Sequence, residues 1–253
     1  MRRLACGMVA AALCACAGGP QPMTSAQRMQ VIEAAVASSE RPPQDRSEDP
    51  QRRPAEVLGL TGVAPGQKVI EIFAAGGWYA EILARVVGPS GLVFAHNPPS
   101  VVRRFGDRPL VERLANNRLP NVLRWDREPN ELRLPVDYFD GAMLHLVFHD
   151  LFWISNDVPG FLRDLHRSLK IGAWVAVIDH AAPIGTRDEL AKDPRGPHRI
   201  DEAYTRALFE QAGFTLVTDS PLLRNPQDDR RQAFFAPQMR DVTTDRFLQI
   251  YRK

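Results

Sequence analysis

Val69-Ile70-Glu71-Ile72-Phe73-Ala74-Ala75-Gly76-Gly77-Trp78-Tyr79 is the stretch that decides the fold. It opens as an apolar run carrying a single carboxylate, with the length and β-branched content of a buried strand. Gly76-Gly77 closes the run, and Tyr79, Ile82, Leu83 and Val86 then recur at helical spacing. A strand that turns through glycine into a helix brings backbone close to a ligand and aims N–H groups at it, the usual geometry of a nucleotide site. The turn also needs glycine for steric reasons alone, so by itself it leaves both readings open.

Outward from this unit the pattern repeats. Gly88-Pro89-Ser90-Gly91 stops the helix and leads into a second strand, Leu92-Val93-Phe94-Ala95. A helix from Val101 to Asn116 precedes a third strand near Val122-Leu123. Tyr138 to Phe148 carries the fourth strand, Pro159 to Leu169 a helix, and Ala173 to Ile178 the fifth strand. After a helix from Asp201 to Ala212, Phe214–Val217 and Arg246–Tyr251 follow with no helix between them, which predicts an antiparallel pair closing the sheet. Such alternation predicts an α/β fold, a Rossmann-like, mostly parallel sheet flanked by helices.

The chain has 253 residues, 44% hydrophobic and 25% charged, enough for one well-packed domain and an appendage. Its net charge of +2 comes from 32 basic and 30 acidic side chains spread along the sequence. No basic stripe results, so nucleic acid is not an expected partner. Cys6, Cys14 and Cys16 are the only cysteines, which leaves the folded domain without disulfide or thiolate metal site. Met1-Arg2-Arg3 followed by the apolar run Leu4–Ala15 has the form of an export signal, too short to span a bilayer as a mature helix. Leu13-Cys14-Ala15-Cys16 resembles a bacterial lipobox, which makes Cys16 the expected lipid anchor and the cell envelope the expected location; ordinary cleavage near Ala17 is the alternative. Residues 1–16 thus read as signal, 17–53 as an amphipathic helix (Met29, Ile32, Val36) followed by a proline-rich tether, and 54–253 as the domain.

The order of further motifs narrows the fold. Glu71-Ile72 with its glycine turn, Gly88–Gly91, Tyr138-Phe139-Asp140-Gly141 and Leu169-Lys170-Ile171-Gly172-Ala173 resemble the class I S-adenosylmethionine-dependent methyltransferases at the corresponding places. Together with His198-Arg199-Ile200-Asp201, Leu223-Arg224-Asn225-Pro226 and Thr244-Asp245-Arg246-Phe247, the stretch from Glu71 to Tyr79 resembles a group of exported, predicted methyltransferases. The resemblance covers about Ala55 to Lys253. It implies a seven-stranded sheet with an antiparallel last strand, S-adenosylmethionine as cofactor, and a small-molecule substrate. The cofactor positions it implies are Glu71, Ala75, Gly76, Gly77, Asn97 and Asp126.

Several of these positions depart from the general pattern. Phe73 and Ala75 stand where the loop has its first two glycines, and a phenylalanine there narrows the methionine end of the pocket. Asn97 stands where a carboxylate meets the ribose hydroxyls and offers an amide oxygen without charge. Asp126 or Glu128 after the third strand could accept from the adenine amino group or simply be loop charges.

His149-Asp150, Asp179-His180 and His198 all fall at strand ends or in the connection beyond, where open α/β sheets bind ligands. These histidines can hold the rim together by hydrogen bonds, act as general base (His149 or His180), or bind metal with Asp150, Asp179 or Asp201; no metal is assigned from the sequence. Two functions therefore stand, a methyltransferase and a binding or scaffolding lipoprotein that kept the fold without the reaction. An open cleft favours the first, a cleft filled by Phe73 the second.

Overall fold

Thr24 caps the first helix reciprocally: its hydroxyl accepts from the Gln27 N–H while the Gln27 side chain accepts from the Thr24 N–H. That helix, α1 (Ser25–Val36), begins the computed structural model, which describes residues 23–239 and 242–253. The expected export signal and Cys16 lie outside the described residues. Three short helices follow, α2 (Pro43–Ser47), α3 (Asp49–Arg52) and α4 (Pro54–Thr61). The proline-rich stretch is thus not an extended tether. Pro43 and Pro54 occupy first helical positions, where a missing N–H costs nothing. Arg41, completely buried, donates to Val36 O at 2.6 Å and makes a bidentate pair with Asp49 at 2.7 and 2.8 Å. The boundary expected at Pro54 falls inside continuous helical packing.

The α/β body runs β1 (Lys68–Ile72), α5 (Trp78–Val87), β2 (Leu92–Asn97), α6 (Pro99–Phe105), α7 (Arg108–Leu114), β3 (Val122–Asp126), β4 (Phe139–His145), α8 (Leu151–Ile154), α9 (Val158–Ser168), β5 (Leu169–His180), α10 (Glu202–Gln211), β6 (Thr215–Ser220) and β7 (Arg246–Arg252). The helix expected over Val101–Asn116 breaks at Gly106, whose φ of 82° ends α6. The seven strands lie in the order β3-β2-β1-β4-β5-β7-β6, with β7 antiparallel to both its neighbours and β1 to β5 parallel. This is the predicted sheet.

Strand alternation divides the core into two layers. Val69 and Met143 face α1, α4 and α5, whereas Ile70, Ile72, Ala142 and Leu144 face the opposite layer with Leu162, Leu165 and Phe209. Gly141 lies opposite Trp174 in the β4–β5 register, and a Cβ there would overlap the indole ring.

One buried carboxylate ties the helices on the α5 face together. Glu81 is fully buried and meets Arg85 at 2.9 Å, Arg113 at 2.5 Å and Arg118 at 2.6 Å, while Arg113 also meets Asp45 of α2 at 2.7 Å. Burial alone would raise the Glu81 pKa, but the three guanidinium groups bring it down to about 2 from 4.5. Glu81→Gln should therefore cost roughly 3–5 kcal/mol near neutral pH, the range for removing one partner of a buried ion pair. Because the folded pKa is depressed, the contribution is complete above pH 4.5 and is lost as pH falls through 2. Urea denaturation of both proteins at pH 7 and pH 3 should show the gap narrowing in acid. An equal gap at both would contradict the ion-pair account.

Candidate active site

Between β1 and β4 the strand order reverses, and the crevice at their carboxyl ends is where such sheets place ligands. The β1 turn sits there. Phe73 and Ala75 adopt φ of 52° and 49°, the left-handed region in which glycine is the easy choice. Backbone bonds hold the shape in its place: Ala74 N–H donates to His96 O at 2.8 Å and Gly77 N–H to Ala74 O at 2.7 Å. Asn97 adds two more, accepting from Ala75 N–H at 2.8 Å and donating to Ala75 O at 3.1 Å. A carboxylate could make only the first of these. The amide expected to face a ribose is thus also engaged with the loop.

Phe73 does not stand in the cleft. It is buried, stacks on His96 at 5.4 Å and belongs to the core layer with Ile72, Phe94 and Phe148. His96 accepts from Phe73 N–H through Nδ1 and donates through Nε2 to Arg127 O at 2.9 Å. Burial lowers its pKa to about 4, so the ring is neutral. Gly76 and Gly77 are overlaid by α7: a Cβ on Gly77, whose φ is 77°, would come within 2.9 Å of Leu110, and Arg113 donates to Gly76 O.

Glu71 points from β1 toward the first turn of α5, where the Ala80 and Tyr79 backbone N–H groups act on it. Burial pushes its pKa up to about 8. Among the described residues, Glu71 Oε2 and the Tyr79 hydroxyl are buried without a hydrogen-bond partner, an uncommon and costly state for polar atoms. Tyr79 and Trp78 pack against His145 at 4.9 and 6.1 Å. Asp126 lies beside Asn97 in the β2–β3 register, with Oδ2 paired to Arg124 at 2.7 Å and Oδ1 buried and unpartnered among the described residues. Glu128 instead caps α6 through Ser100, with bonds of 2.9 and 2.7 Å.

Beyond β4 and β5 the histidines do converge. Ring centroids of His149 lie 5.2 Å from His198 and 5.8 Å from His180. Asp179, fully buried at the end of β5, accepts from His149 N–H at 2.8 Å, His149 Nδ1 at 2.6 Å and His180 N–H at 2.7 Å. His149 Nε2 and His198 Nδ1 each lie 3.2 Å from Asp150 Oδ1, which also accepts from Trp153 Nε1 at 2.9 Å. Burial alone would lower the His149 pKa, but Asp179 and Asp150 outweigh it and raise it to about 10, while Asp150 falls well below the carboxylate range. Without a metal, His149 is therefore an imidazolium at neutral pH and cannot serve as the general base proposed for it. His180 is its opposite: burial, then the positive charges of His149 and Arg199, hold it neutral. Its Nδ1 meets Thr244 Oγ1 at 2.6 Å, and Phe234 stacks on the ring at 5.1 Å.

Other acidic candidates are structural. Asp201 caps α10 and accepts from Ala203, Tyr204, Gly185 and Arg187 N–H groups. The 224–231 connection is an internal brace: Arg199 and Asp228, both side chains fully buried, pair at 2.8 Å, and Asp228 accepts from Asp245 N–H at 2.6 Å. The sequence reading missed this brace, the exposed Phe234–Phe235 pair beside His180 and His198, and Arg113 over the glycine turn. Only the aromatic pair, apolar residues in an otherwise polar connection, left a visible signal.

No protein-family model matches the chain. A 2-phytyl-1,4-naphtoquinone methyltransferase of Synechococcus elongatus is 33% identical over 121 residues, 47% of this chain and 48% of the relative. A ubiquinone/menaquinone biosynthesis C-methyltransferase of Vibrio campbellii is 25% identical over 167 residues, 66% of this chain and 58% of the relative. The chain thus spans about half of the first relative's length. Among solved structures, a SAM-dependent methyltransferase from Aquifex aeolicus superposes with a TM-score of 0.60 at 19% identity, covering 91% of this chain and 98% of that one. A putative sarcosine dimethylglycine methyltransferase from Galdieria sulphuraria gives 0.58 at 16% identity, covering 83% and 87%. Strand order, the antiparallel β7 and the turn after β1 together identify the fold as that of the class I S-adenosylmethionine-dependent methyltransferases.

Proposed function

We propose that this chain is an S-adenosylmethionine-dependent methyltransferase acting on a small molecule at the cell envelope. The observation that carries the reading is the β1 turn at the sheet's reversal point, with its left-handed shape intact and Glu71 Oε2 buried beneath it without a partner. The residues fit the cofactor at its cationic end. Glu71, neutral while alone, gains a reason to ionise when positive charge arrives. They fit less closely at the ribose, where Asn97 is shared with Ala75 and Asp126 Oδ1 is the nearby unpartnered acceptor. Glu71, the Ala75–Gly77 backbone and Asp126 are the residues that would hold it.

S-adenosylmethionine, when bound, supplies a methyl group on a sulfonium that leaves readily, so positioning of the acceptor provides much of the rate. His180 is the neutral imidazole at the edge and would take a proton from an acceptor hydroxyl or amine at Nε2. Phe234 and Phe235, 45% and 56% exposed, give that edge an aromatic wall suited to a flat apolar acceptor. The quinone methyltransferases among the relatives support this substrate class. The export signal at Met1–Ala15 and the lipobox ending in Cys16 support the location.

Calorimetric titration of the purified chain with S-adenosylmethionine tests the reading. Saturable micromolar binding is expected, and at pH 7 it should release a proton as Glu71 ionises, because its pKa of about 8 in the free protein falls beside a cation. Comparing buffers of different ionisation enthalpy measures that proton, and Glu71→Gln should abolish its release. A folded chain that binds neither S-adenosylmethionine nor S-adenosylhomocysteine would overturn the enzyme in favour of the scaffolding reading. Methyl transfer from labelled cofactor to prenylated naphthoquinols is the substrate assay. For the location, the wild-type chain should take up labelled palmitate in bacterial cells and Cys16→Ala should not; equal labelling of both would exclude Cys16 as the anchor.

A further inference from the structure

We propose that His149, Asp150 and His198 form a binding site for one divalent transition-metal ion. The inference concerns these side chains alone and stands independently of the S-adenosylmethionine reading. His149 Nε2, an Asp150 carboxylate oxygen and His198 Nδ1 all lie within 4.8 Å of one another. The two separations from Asp150 Oδ1 are both 3.2 Å. Ligands about 2.1 Å from a common ion are separated by about 3.0 to 3.4 Å in octahedral or tetrahedral arrangements, a range that both separations from Asp150 Oδ1 already meet.

Hydrogen bonding on the far side of each ring gives the stronger reason. A neutral imidazole has one N–H. His149 spends it from Nδ1 on Asp179 at 2.6 Å, and His198 spends it from Nε2 on the Pro194 carbonyl at 3.1 Å. The nitrogens left over for a ligand, His149 Nε2 once its proton leaves and His198 Nδ1, both lie against the Asp150 carboxylate. In the ion-free protein the His149 Nε2 proton holds that ring to the Asp150 carboxylate; an ion can take the proton's place and reach all three donor atoms. One divalent ion satisfies all three, displacing any proton held at His149 Nε2 to solvent.

The surroundings match a metal site in other respects. Asp179 behind His149 is the carboxylate that orients a ligating imidazole, and it is itself pinned by the His149 and His180 backbone N–H groups. His198 holds φ at 55°, a conformation unusual for a non-glycine residue, and thereby turns its ring toward Asp150. Asp150 and His198 are partly exposed, giving an ion a way in, and three side-chain ligands leave coordination positions open toward solvent. Two imidazoles and one carboxylate suit zinc, iron(II), manganese or cobalt rather than calcium or magnesium.

The test uses the full chain stripped with chelator, its cysteines alkylated so that only nitrogen and oxygen donors remain, and titrated with Co2+ by calorimetry and visible absorption. One equivalent should bind with a visible d–d band. His198→Asn keeps a residue that tolerates the left-handed conformation and should weaken binding at least tenfold. Asp179→Asn, altering only the positioning residue, should weaken it roughly 10–100-fold. His166→Gln, on α9 against Phe214, should leave binding unchanged. No saturable binding by the folded wild-type chain, or equal binding by wild type and His198→Asn, would overturn the site.

Discussion

A single buried carboxylate, Asp179, organises the carboxyl edge of the sheet. At the end of β5 it has no exposure to solvent and accepts from two backbone N–H groups and one imidazole. A desolvated carboxylate is tolerable only when its lone pairs are taken, so the chain after β4 must return to supply them. That requirement places His149 over the β4–β5 junction. It ties His149 Nδ1 to Asp179 and so aims Nε2 at Asp150, on which His198 also converges. The polar chemistry of this edge therefore follows from where one strand ends.

The brace behind it works by the same rule. Arg199, adjacent to His198, is buried and shares Asp228 with the backbone of Asp245. Arg224 and Arg230 meet Asp245 from the other side, Arg230 at 2.8 Å. Buried pairs of this kind add little net stability over an apolar core, yet breaking one is costly. Their consequence here is positional, since they hold the 198–201 connection and the approach to β7 in one register, and with them His198, Thr244 and the ring of Phe234.

Much of this was legible in the sequence. The apolar runs, the glycine turns and the helix-free tail specified a mostly parallel α/β sheet and its antiparallel closure, because strand and helix periods differ, while the order of the strands came only with the structure. Convergence of His149, His180 and His198 was also visible, as each follows a strand end or its connection. Other features were not. α2 and α3 are 5 and 4 residues long, too short for periodicity, and they are stabilised by a buried Arg41–Asp49 pair that composition reads as a solvated charge. Proline there marks helix starts rather than extension. Nor could spacing reveal that His149 is charged and His180 neutral, a difference made by two carboxylates from separate segments.

The glycine turn shows how a shape can outlast the residues that make it easy. Phe73 and Ala75 in left-handed conformation each cost on the order of 1–2 kcal/mol relative to glycine. Hydrogen bonds hold the turn in that shape: the His96 carbonyl accepts from Ala74, and both polar ends of the Asn97 amide meet Ala75. An aspartate at position 97 would set a carboxylate against the Ala75 carbonyl, two acceptors facing one another. The amide at position 97 and the non-glycine residue at 75 thus fit each other. The result is a turn that sets backbone at the crevice between β1 and β4, with the Phe73 side chain packed into the core behind it.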